Sequence, residues 1–259
     1  MKILFVGEIV AGPGRKAVKE VLPWVISDYK PDLVLSNAEN LSGGRGVTEE
    51  KLQQMITCGI NFFTSGDHIF WEKGTEDFID NVPLVIPANY PKRVPGKRYE
   101  ILDTGKNGKV LIFNLLGRSS GGLNCYVEDP FTTADKILEE TAKENIAVSI
   151  LDFHADVTSE KYAIANYLDG RVTAIIGSHS HVPTCDQMVM PKGTMYITDV
   201  GMTGIIDSVI GVKSEIIIKQ FLTAQNQRFE WEDSGRKAFR SVLLDTREMT
   251  ISRVDKLLV

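Results

Sequence analysis

Long apolar runs are missing from this 259-residue chain. No window approaches the roughly 20 apolar residues that a bilayer-spanning helix needs, so no membrane span is expected. Cysteine is scarce. Cys58, Cys125 and Cys185 are odd in number, far apart and in no Cys-x-x-Cys pattern. That argues against a disulfide framework and a zinc knuckle, and it suits a reducing, cytoplasmic setting. Positive charge is also thin. The net charge is −5 and no Lys/Arg run is long enough to follow a phosphate backbone, which disfavours a partner made of long nucleic acid. Internal repeats, low-complexity tracts and a convincing linker are absent. Histidine is sparse as well, with only His68, His154, His179 and His181.

What is present is ordinary globular material, 43% hydrophobic and 24% charged, enough for one large α/β domain over 1–259. The Pro-rich patch Pro83 to Pro95 is the one candidate boundary. A short irregular crossing between half-sheets explains it equally well. Met1-Lys2-Ile3-Leu4-Phe5-Val6-Gly7 has an apolar run too short for a signal-peptide core and reads as a buried strand.

The first third of the chain repeats one rhythm. Apolar strands Ile3–Val6, Leu33–Ser36 and Ile60–Thr64 each end in polar or acidic residues, and a helix or loop then returns the chain. The helices are expected from about Arg15 to Tyr29, with Val18, Val21, Leu22, Val25 and Ile26 at helical spacing, and after an N-cap at Thr48. This is a βαβ pattern with parallel pairing. Further on, Lys106-Asn107-Gly108-Lys109 lies between two β-like runs and predicts a hairpin. Helices are expected over Thr132–Lys143, Ser159–Leu168 and near Lys213–Leu222, and a buried strand over Ile146–Phe153. A second hairpin should turn at Pro191-Lys192-Gly193. Asp199 to Gly204 reads as a loop, and Arg228 to Val254 as antiparallel strands.

The strand ends collect Glu8, Glu39, Asn40, Asp67, His68, His154, His179 and His181. Each has a bland explanation alone: a cap, a turn, a hydrogen-bonded imidazole. Together they crowd like charges, which destabilises a fold unless a cation sits among them. Neutral imidazole is also the commonest metal ligand. Six or seven oxygen and nitrogen donors exceed the three or four of one catalytic ion. Two ions about 3.5–4 Å apart, as in phosphoryl chemistry, would use them all.

At these residues the chain resembles the calcineurin-like metallophosphoesterases, and within them the bacterial YmdB-type cyclic-nucleotide phosphodiesterases. The resemblance rests on the first eight residues, Asn37-Ala38-Glu39-Asn40, Gly66-Asp67-His68, His154-Ala155, Gly177-Ser178-His179-Ser180-His181 and Thr198-Asp199-Val200-Gly201-Met202-Thr203-Gly204. It runs to about Gly211 and weakens beyond. It implies a β-sandwich flanked by helices in four αββα layers, and two metal ions, iron or manganese, with zinc or magnesium as alternatives. One ion would be held by Glu8, Glu39, Asn40 and His181, the other by Glu39, Asp67, His154 and His179. A bridging hydroxide would attack phosphorus in line in a small nucleotide diester such as 2′,3′-cyclic AMP. His68 would orient the phosphate or protonate the leaving oxygen. Assembly into homo-oligomers is also implied.

Two residues depart from the family's pattern, which has Asp at Glu8 and Asn at Asp67. Glu8 is one methylene longer, and Asp67 adds a third carboxylate. The added charge should strengthen metal retention and weaken attraction for an anionic phosphate. The alternative function is therefore a catalytically weakened relative that binds a nucleotide or regulates a partner. Three places in the chain have two readings each. Arg45, in Ser42-Gly43-Gly44-Arg45-Gly46, approaches a phosphate or lies on a mobile loop. Trp71 stacks a base or packs. Thr203-Gly204 lines the site's mouth or serves a subunit contact.

Overall fold

Alternate residues of the first strand, Lys2–Val6, enter different cores. Ile3 and Phe5 point one way, Leu4 and Val6 the other, and all four are fully buried. A strand covered on both faces needs an unbroken apolar run, and that is how this one reads. The computed structural model describes residues 1–119 and 126–258, so Cys125 lies outside the described residues.

Lys2–Val6 pairs in parallel with Leu33–Asn37 and antiparallel with Ser241–Asp245. Phe62–Thr64 and Thr250–Arg253 complete a five-stranded sheet at its two edges. A second sheet has six strands in the order Tyr99–Asp103, Lys109–Leu116, Ile146–His154, Ala174–Ser178, Met195–Ile197 and Met188–Val189. The sheets face each other through Ile3, Phe5 and Leu35 on one side and Ile112, Ile150 and Ile176 on the other. Helices Ala11–Tyr29 and Glu49–Thr57 cover the outer face of the first sheet. Helices Pro130–Glu140 and Thr158–Leu168 cover that of the second. The result is the α/β, metallophosphoesterase-type sandwich in αββα layers that the motifs imply.

Local chemistry explains most element ends. Thr48 caps the second helix by accepting from the Lys51 amide at 3.4 Å, with Glu49 and Glu50 in its first turn. The hairpin expected at Asn107-Gly108 forms, with Tyr99 opposite Phe113 and Asp103 opposite Lys109, so the connection is residues 104–108 with a 3-10 turn at Gly105–Asn107. The first helix begins at Ala11, earlier than the pattern suggested. Pro13 is tolerated in a first turn, where its missing N–H costs nothing. Gly14 is required there, since a Cβ would lie 2.4 Å from the Thr203 carbonyl oxygen.

One expectation fails. Within the supposed loop Asp199–Gly204, a strand Met202–Ile205 begins. It pairs in parallel with Glu8–Ile9 and antiparallel with Lys237–Phe239, and Lys256–Leu258 closes this third sheet. Gly201 and Gly204 made the segment read as irregular. A partner nearly two hundred residues upstream overrides that local signal. Thr203 is buried, its hydroxyl bonded to the Arg240 carbonyl, so it does not line the mouth of a site. The Pro-rich patch is a crossing between the sheets. Val85 donates to Phe63 O at 3.0 Å, and Ala88 to Asn114 O at 2.7 Å. Among the described residues no helix is long and apolar enough to cross a membrane.

Truncating Phe5, which is wholly buried between the sheets, should cost about 3–5 kcal/mol in urea unfolding. Phe221→Ala, at a position 83% exposed, should stay within about 0.5 kcal/mol.

Candidate metal centre

The parallel strands of both sheets release their chains at the same end. Glu8 starts the short strand just after Lys2–Val6 and is held opposite Met202. Glu39 and Asn40 follow Leu33–Asn37, and Asp67 and His68 follow Phe62–Thr64. His154 ends its own strand opposite Ser178, and His179 and His181 come immediately after. Carboxyl ends of strands are where open α/β folds gather ligands. All eight side chains expected at the site converge here.

His154 Nε2 lies 3.1 Å from Glu39 Oε2, 3.1 Å from Asp67 Oδ1 and 3.0 Å from His179 Nδ1. His181 Nε2 lies 2.8 Å from Glu8 Oε2. The Asn40 amide nitrogen sits among Glu8 Oε2 at 3.1 Å, Glu39 Oε1 at 2.8 Å and His181 Nε2 at 3.1 Å. Among the described residues three groups able to hold a metal ion result: Asp67 with His154 and His179, Glu8 with Glu39 and His181, and Glu39 with Asp67 and His68. The first two fall within the two donor sets that the family resemblance implies, with Glu39 in only one of them.

The hydrogen bonds behind these rings decide which way they face. Buried Asp152 takes hydrogen bonds from Asn37 Nδ2 at 2.8 Å, the Thr64 hydroxyl and the Ser178 hydroxyl at 2.6 Å. Having given its proton to Asp152, Ser178 Oγ accepts from His154 Nδ1 at 2.9 Å. His181 Nδ1 donates to Ile210 O at 2.8 Å. In each neutral ring the lone pair of Nε2 therefore points at carboxylate oxygens. Acceptors facing acceptors in a buried cluster repel unless a proton or a metal ion lies between them. These donors fit a metal. Gly66 also leaves the necessary room, because a Cβ there would lie 2.0 Å from Glu39 Oε2 and 2.6 Å from His154 Nε2.

Without metal, protons must fill that role. Burial pushes His181 down, but Glu8 outweighs it and raises the ring to about 9. His154 is likewise raised against its burial by Glu39 and Asp67. Burial pushes Glu8 and Asp67 up, and the neighbouring imidazoles hold both well below the usual carboxylate range. His179 is lowered by burial and by His154. Asp152 is raised to about 6 by its complete burial.

His179 and His181 have φ of 100° and 62°, left-handed values that cost non-glycine residues about 1–3 kcal/mol each. The bend aims His179 at Asp67 and His154, and His181 at Glu8. An extended chain would send residues two apart to the same face. Asn40 adds one detail. Its oxygen faces His68 Nδ1 at 2.9 Å, so metal ligation through that oxygen calls for a half-turn of the amide.

The cluster floors a cavity of about 360 Å³, lined also by Arg45, Trp71, Ile210, Phe229 and Trp231. Trp71 leans over His68 with ring centres 4.3 Å apart, and the Arg45 guanidinium lies 5.4 Å from the Trp71 ring. The apolar wall from the C-terminal part was missed in the sequence, where Phe229 and Trp231 read as strand residues. Asp152 and Ser178 were missed too. The one signal was a charged residue inside the otherwise apolar run Ile146–Phe153.

The YmdB-like protein family model matches residues 4–257, further than the motifs alone carry. The chain belongs to the YmdB-like family. It is 43% identical over 252 residues to a 2′,3′-cyclic-nucleotide 2′-phosphodiesterase of Bacillus subtilis, covering 96% of this chain and 93% of that one. A solved phosphatase of Mycoplasma pneumoniae is 32% identical with a TM-score of 0.89, over 100% of this chain and 93% of that one. A hypothetical protein of Thermus thermophilus is 34% identical with a TM-score of 0.90, over 100% and 99%. Its similarity to a named phosphodiesterase and to a solved phosphatase supports a phosphoric diester hydrolase.

Because raised imidazoles carry protons at neutral pH, metal binding must expel them. Calorimetry with Mn(II) at pH 7.5, in buffers of different ionisation heat, should show release of roughly one to two protons per protein. Apparent affinity should climb with pH and level off once His181 titrates near 9. In metal-free protein the sign is opposite. The imidazolium–carboxylate contribution to stability is full below about pH 6.5 and is lost as pH rises through about 9. Buffer-independent heats would mean that the rings are already neutral.

Proposed function

We propose that this chain is a two-metal phosphodiesterase acting on small nucleotide diesters such as 2′,3′-cyclic AMP. The carrying observation is the convergence of imidazole lone pairs and carboxylates at the floor of a cavity open to solvent. One ion would be held by Glu8, Glu39, Asn40 and His181, the other by Glu39, Asp67, His154 and His179. Iron and manganese suit this mixed oxygen and nitrogen donor set, with zinc or magnesium less favoured. Bound there, two ions supply an activated water and neutralise charge at phosphorus.

The remaining work falls to side chains around the cavity. His68 is fixed by Asn40 at Nδ1 and packed under the tilted Trp71 ring, and its Nε2, 3.6 Å from Asp67 Oδ2, is the ring nitrogen that would meet a phosphoryl or leaving oxygen. Arg45 brings a cation to the rim of a site whose floor is rich in carboxylate, so it offsets repulsion of an anionic substrate. Trp71, Phe229 and Trp231 give a nucleobase an apolar wall. A role at the site for Arg45 and Trp71 is proposed over the mobile-loop and packing readings, because both line the cavity.

Catalysis is favoured over a binding-only scaffold. Glu8 keeps its carboxylate within 2.8 Å of His181 despite the extra methylene, and Asp67 keeps its own within 3.1 Å of His154. The substrate reading draws support from the Bacillus subtilis relative. A cytoplasmic location and homo-oligomeric assembly are proposed on the cysteine usage and the family resemblance, as is a single domain over 1–259.

The test is hydrolysis of 2′,3′-cyclic AMP and bis-p-nitrophenyl phosphate by Mn- or Fe-loaded protein. His68→Ala should lower kcat about 10²–10⁴-fold with metal content unchanged. Arg45→Ala should raise KM several-fold and leave kcat within a factor of about three. Activity that survives His68→Ala and His154→Ala intact would reject the proposal.

A further inference from the structure

The proposed chemistry makes no use of one buried cation. Lys161, on helix Thr158–Leu168, is 1% exposed although it carries an ammonium. Lysine is almost never so buried unless paired. Its Nζ donates to Asp199 Oδ2 at 2.8 Å and to the Ser178 carbonyl at 2.7 Å. Asp199, also fully buried, accepts from the Ser180 amide at 3.0 Å through Oδ2 and from the Gly201 amide at 2.8 Å through Oδ1. One ion pair therefore clasps the backbone on both sides of His179. The clasp continues through Val200 N to Gly177 O at 3.0 Å and Met202 N to His181 O at 3.0 Å.

We propose that Lys161 and Asp199 are positioning residues that set the spacing between the two metal-holding groups. His179 belongs to one group and His181 to the other, and the Ser178–His181 turn is the backbone that joins these two ligands. The His179 amide within it also donates to Glu8 Oε1. That turn is left-handed at both histidines, a conformation the chain does not hold unaided. The Ser178 carbonyl and the Ser180 amide are the polar groups that flank the first bend, and both end on this ion pair. Neither Lys161 nor Asp199 touches a donor atom of the cluster. Their effect is to fix where the donors sit relative to one another. Residues that orient metal ligands in this way typically carry 10–100-fold in metal affinity.

The proposal rests on reading the cluster as a two-metal site. The test is Mn(II) affinity and stoichiometry by chelator competition on the full chain, with thermal melting alongside. Three proteins are compared: wild type, Lys161→Met/Asp199→Asn, and Ile164→Ala. The double variant removes both charges together. Ile164 is a buried apolar neighbour on the same helix, packed in the outer core, so its truncation loosens the helix without touching the turn. The double variant should bind at least one Mn(II) about tenfold or more weakly. Ile164→Ala should lose Tm and keep wild-type affinity within about twofold. Should the double variant not melt cooperatively, Lys161→Gln/Asp199→Asn carries the test, because it keeps a donor for Ser178 without either charge. A loss of affinity of about threefold or more is expected there.

Wild-type affinity in the neutral variants would overturn the positioning role, as would an affinity loss that follows Tm equally in Ile164→Ala. Wild type that binds no Mn(II) would instead reject the metal reading on which the inference stands.

Discussion

The constraint on which the rest depends is a set of acceptors that face one another. Two imidazole nitrogens, His154 Nε2 and His181 Nε2, point their lone pairs at Glu39, Asp67 and Glu8 inside a buried cluster. Such an arrangement is unfavourable by itself. It becomes favourable when cations occupy the space between, and protons are the weaker substitute. The hydrogen bonds on the far side of each ring, to Ser178 and to the Ile210 carbonyl, prevent the rings from escaping by exchanging tautomers.

The fold is arranged to hold this arrangement rigidly. Each contributing strand is buried on both faces, so a slip by one residue would swap its side chains between two differently packed cores. Glu8 is pinned by a short parallel pairing with Met202, and the C-terminal strands stabilise that pairing from behind. Asp152 ties the two sheets together across the site, reaching Asn37 and Thr64 on one sheet and Ser178 on the other. The same carboxylate fixes His154 through Ser178. Stability and site geometry therefore share residues.

Much of this was legible in the order of the residues. Strands buried on both faces announce themselves as apolar runs, and the polar residues just after them named the donor set. Thr48 and the Asn107-Gly108 turn acted through local chemistry and were readable for that reason. The strand Met202–Ile205 was not, because two glycines masked a pairing with residues at the other end of the chain. The cavity wall from Phe229 and Trp231 was hidden likewise, since which face of a tail segment meets a distant site depends on tertiary packing alone. Nothing in the sequence around Lys161 sets it apart from other helical lysines. Only its burial against Asp199 does.

The account stands on cations in the cluster, so elemental analysis of protein purified without added metal tests it most directly. It calls for close to two transition-metal ions per chain, falling together when His154 and His181 are replaced by Ala. A folded, wild-type protein that carries none, and takes up none when Mn(II) or Fe(II) is supplied, would contradict it.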